Sequence, residues 1–370
     1  MATDSATPVK ERSVPKPVFT DAEAGAKEFP SSKSRSYNYF TPRKRRASVY
    51  EDVTVDVQPD PARHLTQGWI YGFADGPGGY PLEWTALKSS NWHAFLDPNE
   101  EWEQTIYRNN ANVVRQITQV IQHAKDAEAF KNWNRQWAKI VERHVSAWAH
   151  AEHGIGLHIY TPAQRDAPTN MINNALAVAA AHKLRFAQDL ILYNLELSQQ
   201  VEGFEGAAHK EAWQSDPVWQ PTRENVEQLT GIRDWAEAFF ATAVVFEPLV
   251  GELFRSSFVM QVAAPHGDFV TPVIMGAGES DVAREQRGAR ALFGMLADDE
   301  AHGDENRAIL NEWLERWTPV SRNAAKNLQP IWSQLSEKVV RFEDSWERSR
   351  ERFTSLVGDL RLEVPKEVTA

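Results

Sequence analysis

Apolar side chains recur at helical spacing over most of this chain, whereas the strict alternation typical of β-strands is nearly absent. The helical pattern begins near residue 99 and predicts six long stretches, at about 99–126, 128–156, 168–200, 222–263, 279–317 and 320–356. One short pair of strands near 49–57 is the only candidate for sheet structure. The pattern therefore predicts an all-α protein built as a bundle of long helices.

Proline and alanine positions refine this expectation. Pro248 is expected to kink the fourth stretch, and the fifth is expected to end at Thr318-Pro319, because proline lacks the amide hydrogen that a helix interior requires. The third stretch has an alanine-rich centre, from Asn174 to His182. Small side chains there would let another helix approach closely.

The first part of the chain, residues 1–61, differs from the helical body. It contains seven prolines, and residues 1–46 carry a charge of +5 although the whole chain carries −11. Tyr37, Tyr39 and Phe40 precede a run of four basic residues. Such a segment cannot build a core of its own. Two interpretations stay open: a disordered basic tail, or an arm that wraps a partner subunit and buries its aromatic side chains there.

Composition excludes several classes of protein. The chain has no cysteine, which excludes disulfides, thiolate metal sites and cysteine nucleophiles. Its net charge of −11 argues against a dedicated nucleic-acid binder. Neither a segment of transmembrane length nor the apolar core of a secretory signal is present, so we expect a cytoplasmic protein that does not insert into membranes.

Two pairs of polar residues are the nearest approach to a metal-binding pattern. They are His150 with His153 and Asp299 with His302, and each pair is spaced to face one side of a helix. A carboxylate-bridged di-iron centre needs Glu-x-x-His on two helices and a Glu on each of two others. No Glu-x-x-His occurs on the long helices. The sequence therefore predicts no catalytic, cofactor-binding or metal-binding residue in this chain.

Four polar positions, one of them the Asp299 named above, are expected to face inward. Projection at 100° per residue places His144, Glu152, Asp299 and Asn306 on the apolar faces of their predicted helices. Buried polar groups need hydrogen-bond partners. We therefore expect these side chains to form a buried polar network or to pair with arginines of neighbouring helices.

Several motifs in a fixed order carry a resemblance to a known family. In chain order they are Tyr37-x-Tyr39-Phe40-x-Pro42, Tyr50-Glu51-Asp52-Val53-Thr54, Gly68-Trp69, Trp92-x-x-Phe95-x-Asp97-Pro98-x-x-x-Trp102, and Asp299-x-x-His302-Gly303-x-x-Asn306 followed by Trp313 and Trp317-x-Pro319. Together they resemble the small (β) subunit of the hydroxylase component of soluble bacterial multicomponent di-iron monooxygenases. The resemblance spans roughly residues 35–350, and the propane-oxidising members look most similar.

This resemblance implies an organisation of the chain. Residues 1–61 would form an extended arm over a partner subunit, residues 62–356 a ferritin-like helical domain without a di-iron site, and residues 357–370 a C-terminal tail. The β subunit would pair with the iron-bearing α subunit in an α₂β₂ assembly. Its Trp-rich helices would then bury a large apolar area against α or a second β.

The resemblance also implies a reaction carried out by the assembly. Electrons from NADH would pass through a reductase that holds FAD and an iron–sulfur cluster, and a small coupling protein would be needed. The di-iron centre of α would then hydroxylate a small hydrocarbon, and propane would give 2-propanol. In this interpretation the chain supplies no reacting atom and braces the catalytic subunit.

Two alternatives from other functional classes remain. One is a stand-alone metal-dependent enzyme that uses His150, His153, Asp299 and His302. The other is a helical adaptor whose basic tail contacts nucleic acid or anionic lipid.

The arm interpretation predicts the effect of a truncation. Deleting residues 1–46 should weaken the hydroxylase complex and leave the iron content of each intact α subunit unchanged, because the arm would supply contacts and no ligand. Co-purification of the truncated chain with α, together with iron analysis, measures both quantities. Normal assembly of the truncated chain would count against the arm.

Overall fold

The computed structural model describes residues 42–44, 47–55 and 84–369, and the N-terminal arm predicted for 1–61 lies largely outside these ranges. Within them all regular structure is helical, so the predicted all-α class is confirmed. The strand pair expected near 49–57 is wrong, because Glu51–Val55 forms a π-helical turn. Local bonds favour this turn: the Glu51 carboxylate accepts the amides of Arg43 and Ser48, and the Thr54 hydroxyl donates to the carbonyl of Tyr50.

The long helices follow one another with short connections. We label them α1 (Glu103–Asp126), α2 (the consecutive segments Arg135–Ile140, Val141–Val145, Trp148–Gly154, Ile155–Tyr160 and Thr161–Asp166), α3 (Asn170–Gln200), α4 (Ala208–Ser215), α5 (Gln220–Thr230), α6 (Trp235–Phe240, Ala241–Gly251, Glu252–Phe254, Arg255–Val259 and Met260–Val262), α7 (Thr271–Ala297), α8 (Gly303–Asn327) and α9 (Phe342–Asp359). Shorter helical turns are Trp92–Ala94, Ala129–Asn132, Ala264–His266, Gln329–Trp332 and Lys366–Thr369.

Helix ends depart from the sequence prediction at several places: the stretch 279–317 is divided between α7 and α8, and the stretch 320–356 is interrupted between Trp332 and Phe342. The stretch 222–263 is two helices, because the Asp234 side chain accepts the amides of Ala236 and Glu237 and so starts a new helix. In contrast, α8 continues through Pro319 and does not end there. Residues on both sides of this proline are buried, among them Thr318 and Ser321, so packing keeps the chain helical where the local rule predicts a stop.

Pro248 lies within a π-helical segment of α6, Ala241–Gly251, in which every residue is buried. A π-helix bonds each amide to the carbonyl five residues earlier, so its turn is wider than that of an α-helix. This local geometry accommodates a proline that would clash within a regular α-helix.

Four helices, α2, α3, α6 and α7, form a ring around the centre of the body. In it α2 packs on α3, α3 on α7, α7 on α6, and the C-terminal part of α2 on the start of α6. Helices α8 and α9 cover the outer side of α6, while α1 packs on α3 and α7. None of the helices in the described ranges combines the length and apolar character needed to cross a bilayer.

The segment after α9, which the sequence predicts as a tail, folds back onto the body. Its short helix, Lys366–Thr369, packs on α8, and Val368 is buried. The Arg350 side chain of α9 donates to the Val368 carbonyl at 3.2 Å. The last turn of the chain therefore belongs to the packed structure.

Most tryptophans in the described ranges lie inside this chain and not on a partner-facing surface. Trp137, Trp148, Trp219 and Trp235 are among its largest fully buried side chains. Trp148 and Trp219 have ring centroids 6.2 Å apart. These indoles therefore fill the chain's own core, and they do not supply the apolar surface that the Trp-rich helices are expected to bury against another subunit.

The α3–α7 crossing depends on a glycine, which predicts opposite effects of two matched substitutions in α7. A Cβ atom added at Gly278 would lie 2.6 Å from Cζ of Phe186, whereas one added at Gly294 would meet nothing within 4 Å. Gly278→Ala should lower the free energy of unfolding by about 1–3 kcal/mol. Gly294→Ala should leave it unchanged or raise it by up to about 1 kcal/mol through helix propensity. Urea unfolding of both variants measures the difference in free energy of unfolding. Equal effects would show that the contact between α3 and α7 does not require a glycine at position 278.

Candidate functional site

Charged side chains meet at the centre of the four-helix ring, where an apolar core would be the default. Helix α2 contributes Glu152, α3 contributes Lys183, α6 contributes Glu247 and Arg255, and α7 contributes Glu285. We call these five residues the ionic cluster. Each of their side chains is at most 3% exposed. Charges buried this deeply require close partners.

Each cation of the cluster bridges several carboxylates. The Lys183 ammonium contacts Oε1 of Glu247 and lies 3.3 Å from Oε2 of Glu285 and 3.5 Å from Oε2 of Glu152. The Arg255 guanidinium donates to Oε1 of Glu152 at 3.0 Å and to Oε2 of Glu247 at 2.6 Å. Its Nε also donates to Oε1 of Glu279, at 2.7 Å. These ion pairs connect all four ring helices.

Aromatic side chains orient the cluster from outside. The Trp148 indole donates its Nε1 hydrogen to Oε1 of Glu152 at 2.6 Å, and the Arg255 guanidinium lies 5.2 Å from the centre of the same indole. The Tyr160 hydroxyl donates to Glu285. Burial and the nearby carboxylates raise the pKa of Tyr160 well above its ordinary value, so this hydroxyl keeps its proton.

The charge states follow from burial and pairing. Burial alone would raise the pKa of Glu247, but Arg255 and Lys183 hold it below its ordinary value. Burial likewise works against the charged form of Lys183, yet the surrounding carboxylates outweigh it and raise the pKa. Glu285 differs, because burial raises its pKa to about 7 even though Lys183 opposes the shift. The cluster thus holds stable ions on α3 and α6 and a carboxyl that titrates near neutrality on α7.

A glycine makes room for the α6 side of the cluster. Gly251 lies one turn after Glu247 and one turn before Arg255. A Cβ atom at this position would lie 2.7 Å from Nη1 of Arg255. The ion pair between Glu247 and Arg255 therefore passes over a residue that must lack a side chain.

Two of the inward positions predicted from sequence are confirmed. Glu152 is buried and pairs with Arg255 of a neighbouring helix, as expected. His144 is fully buried, where its Nδ1 accepts the Trp219 indole hydrogen at 2.9 Å and its Nε2 faces the Gln334 amide. Burial lowers the pKa of His144 to about 4, so its ring is neutral at physiological pH.

The other two inward positions have different outcomes. Asn306 is buried as expected, and its amide group bonds to the backbone of Lys88 and Leu296. Asp299 is not inward-facing: it lies in the connection between α7 and α8, where its carboxylate accepts the amide and hydroxyl of Ser90. The projection fails because α7 ends at Ala297, so the helical phase does not extend to residue 299.

The candidate metal ligands of the sequence analysis are not assembled into one site. Nε2 of His150 is hydrogen-bonded to Nδ1 of His209 at 3.0 Å on the outer side of α2, and His153 is exposed. The Asp299 carboxylate instead accepts hydrogen bonds from the amide and hydroxyl of Ser90 and from the amide of His302. Among the described residues, no group of three or more His, Asp or Glu side chains is arranged to hold a metal ion.

The ring centre itself does not fit a di-iron centre. Such a centre needs histidines and four carboxylates directed at the metals. Here the central positions hold the cations Lys183 and Arg255 and no histidine of the Glu-x-x-His type. Sequence reasoning missed Lys183, Glu247 and Glu285, although one signal was available: Glu247 is the only charge in the apolar run Ala241–Gly251, and a buried carboxylate demands a cation.

The family model, the similar sequences and the similar structure found by comparison with known proteins are all those of hydroxylases. The family model described as Methane/Phenol/Alkene Hydroxylase matches residues 69–300. The chain is 60% identical to the small subunit of the hydroxylase component of propane 2-monooxygenase from Gordonia sp. (strain TY-5), over 97% of this chain and 98% of that one. Identity to the corresponding subunit from Rhodococcus jostii is 58%, with the same coverage. A solved structure of phenol hydroxylase from Pseudomonas sp. OX1 has the same fold, with a TM-score of 0.72, 18% identity and coverage of 86% of this chain and 92% of that chain.

The ionic cluster predicts that removing one of its two cations strongly lowers the free energy of unfolding. Arg255→Met should lower the free energy of unfolding by about 3–5 kcal/mol, because Glu152, Glu247 and Glu279 would lose a buried partner. The control is Arg223→Met, which breaks a largely exposed pair with Glu227 and should cost less than about 1 kcal/mol. Urea unfolding at pH 7 compares them, and a cost for Arg255→Met no larger than the control's would show that the cluster stabilises nothing.

Proposed function

The chain belongs to the methane/phenol/alkene hydroxylase family, and we propose that it is the small hydroxylase subunit of a multicomponent monooxygenase of the propane 2-monooxygenase type. The observation that carries this assignment is 60% identity along nearly the whole length of a propane 2-monooxygenase small subunit. The oxidised substrate is then a small alkane, with propane giving 2-propanol.

The chain's own contribution is structural. A large subunit holds the di-iron centre and the reacting atoms, and this chain braces it. The support is the ring centre, where Lys183 and Arg255 occupy the space between the carboxylates and fix four helices relative to one another. A scaffold tied together at its centre keeps its outer faces in constant positions, which is what a brace requires.

The assembly pairs two copies of this chain with two large subunits, and it works with a coupling protein and a reductase. The reductase carries electrons from NADH through FAD and an iron–sulfur cluster, and the complex is cytoplasmic. The contact with the large subunit includes one face of α3, where Ile191, Leu192 and Leu195 are 40–57% exposed at helical spacing. This apolar row has no partner within the described part of the chain. The arm, residues 1–61, adds a second contact.

The assignment rejects the two other functional classes. An adaptor unrelated to oxygenases would not share 60% of its residues with a hydroxylase subunit. A stand-alone enzyme built on His150, His153, Asp299 and His302 would need these side chains in one place, and the described structure separates them.

The proposal predicts a division of labour that purified proteins can test. The full chain alone should oxidise no propane, whereas the chain with its large subunit, coupling protein and reductase should form 2-propanol with NADH. Within that system Leu192→Glu with Leu195→Glu should lower co-purification of the large subunit at least tenfold, because charges replace apolar contacts. The control is Val339→Glu, an exposed apolar residue between α8 and α9. Propane oxidation by the isolated chain would overturn the assignment, and normal assembly of the double variant would overturn the proposed face.

A further inference from the structure

Helix α1 buries little of its surface within this chain. Only Ile106, Ile117 and Ala124 of its 24 residues are buried. Over residues 109–122 the helix has a single charged residue, Arg115, although 25% of the residues in the whole chain are charged. A surface that is exposed and yet poor in charge is typical of the central part of a protein–protein interface.

Apolar and uncharged side chains on the exposed part of α1 follow a heptad spacing. Successive steps of four, three, four and three residues connect Tyr107, Ala111, Val114, Thr118 and Ile121. Tyr107 is 66% exposed and Val114 is 41% exposed, Thr118 is also exposed, and the other two are half-buried. We call these five residues the α1 seam. Steps of this kind align side chains along one line of a helix, which is the pattern by which one helix packs along another.

The seam lies beside the exposed apolar row of α3. The next position in the heptad spacing is Lys125, and its ammonium forms an ion pair with Glu196 of α3 at 2.6 Å. Glu196 directly follows Leu195, which belongs to the row of Ile191, Leu192 and Leu195. The exposed apolar surface of α3 therefore continues onto α1.

Two arginines beside the seam indicate the charge of its partner. Arg108 and Arg115 each directly follow a seam residue and are seven residues apart, so they lie on the same side of the seam. Both are exposed, Arg115 donates to Oδ1 of Asn112 at 3.1 Å, and neither forms an ion pair with a carboxylate of the described ranges. Residues 104–125 of α1 include no Asp or Glu. A second copy of α1 would therefore offer these arginines no anion, whereas a helix that carries Asp or Glu would complement them.

We propose that the α1 seam is a docking site for an amphipathic helix of the large subunit, with apolar side chains that pack on the seam and Asp or Glu side chains that pair with Arg108 and Arg115. Apolar contacts supply the buried area in this mode of recognition, and the flanking charges select the partner and its orientation. The seam spans about 21 Å, so the docked helix has about four turns. The large subunit is the source because the neighbouring α3 row contacts it in the function proposed above, on which this inference rests.

The first experiment reverses the charges beside the seam in the full chain, which is co-expressed with the large subunit. Arg108→Glu with Arg115→Glu should lower the amount of co-purified large subunit at least tenfold, because attraction becomes repulsion. The matched control is Arg135→Glu with Lys139→Glu, the same change in charge at two exposed positions one turn apart on α2, and it should alter co-purification less than twofold. All four side chains are exposed, so both variants should keep the Tm of the unsubstituted chain.

The second experiment identifies the docked segment by photochemical cross-linking within the co-expressed complex. The photoreactive residue p-benzoylphenylalanine is incorporated in place of Gln122, which continues the line of Arg108 and Arg115, or in place of Gln116. Both glutamines are exposed, but at 100° per residue Gln116 lies on the other side of α1 from the seam. Position 122 should cross-link to a segment of the large subunit that carries Asp or Glu beside apolar residues at helical spacing. Position 116 should give less than a tenth of that product.

The outcomes separate this inference from the proposed function. If the unsubstituted chain does not bind a large subunit, the proposed function fails and this inference fails with it. If the unsubstituted chain assembles and Arg108→Glu with Arg115→Glu assembles as well as the control, the docking site alone is overturned. Cross-linking from position 122 to a second copy of this chain, or to a segment without carboxylates, would also overturn it.

Discussion

A charge buried in a protein interior must be paired, and this requirement governs the centre of the molecule. The Lys183 and Arg255 side chains cannot shed their charge, because the carboxylates around them raise both pKa values above the ordinary ones. Burial itself works against both charged forms. The four ring helices must therefore keep the positions that bring glutamates to these two cations. A purely apolar core of similar volume would tolerate small shifts of one helix against another, whereas this one penalises them.

The rest of the body adapts to that centre. Helix α6 carries both partners of the ion pair between Glu247 and Arg255, and the glycine between them, Gly251, leaves space for their side chains. The segment Ala241–Gly251 adopts the wider π-helical turn, which also accommodates Pro248. Trp148 closes the cluster from outside by bonding to Glu152. It stacks in turn with Phe246 and Phe254 of α6. The tryptophan content of the chain thus serves its own interior.

The sequence was sufficient to predict the helical class and most helix positions, because apolar spacing reports burial directly. It failed where tertiary packing overrides a local rule. Pro319 is a helix breaker by local chemistry, yet α8 passes through it because its flanking residues are buried. The opposite error occurred at Asp299: an apolar spacing that continues across a connection suggests one helix, and only the structure shows that α7 has already ended. Family resemblance supplied the functional class that spacing alone left open.

The ionic cluster marks the limit of such reasoning most clearly. The missing Glu-x-x-His pairs argue against a di-iron centre, but an absent motif says nothing about what fills the same space. A lysine on a long helix is ordinarily a surface residue whose stem covers apolar neighbours, so Lys183 carries no local sign that its ammonium is buried. Glu247 does carry one, since an isolated carboxylate in a fully apolar run must find a cation. Following that single requirement from Glu247 would have led to Arg255, two turns later on the same helix, and from there to Glu152.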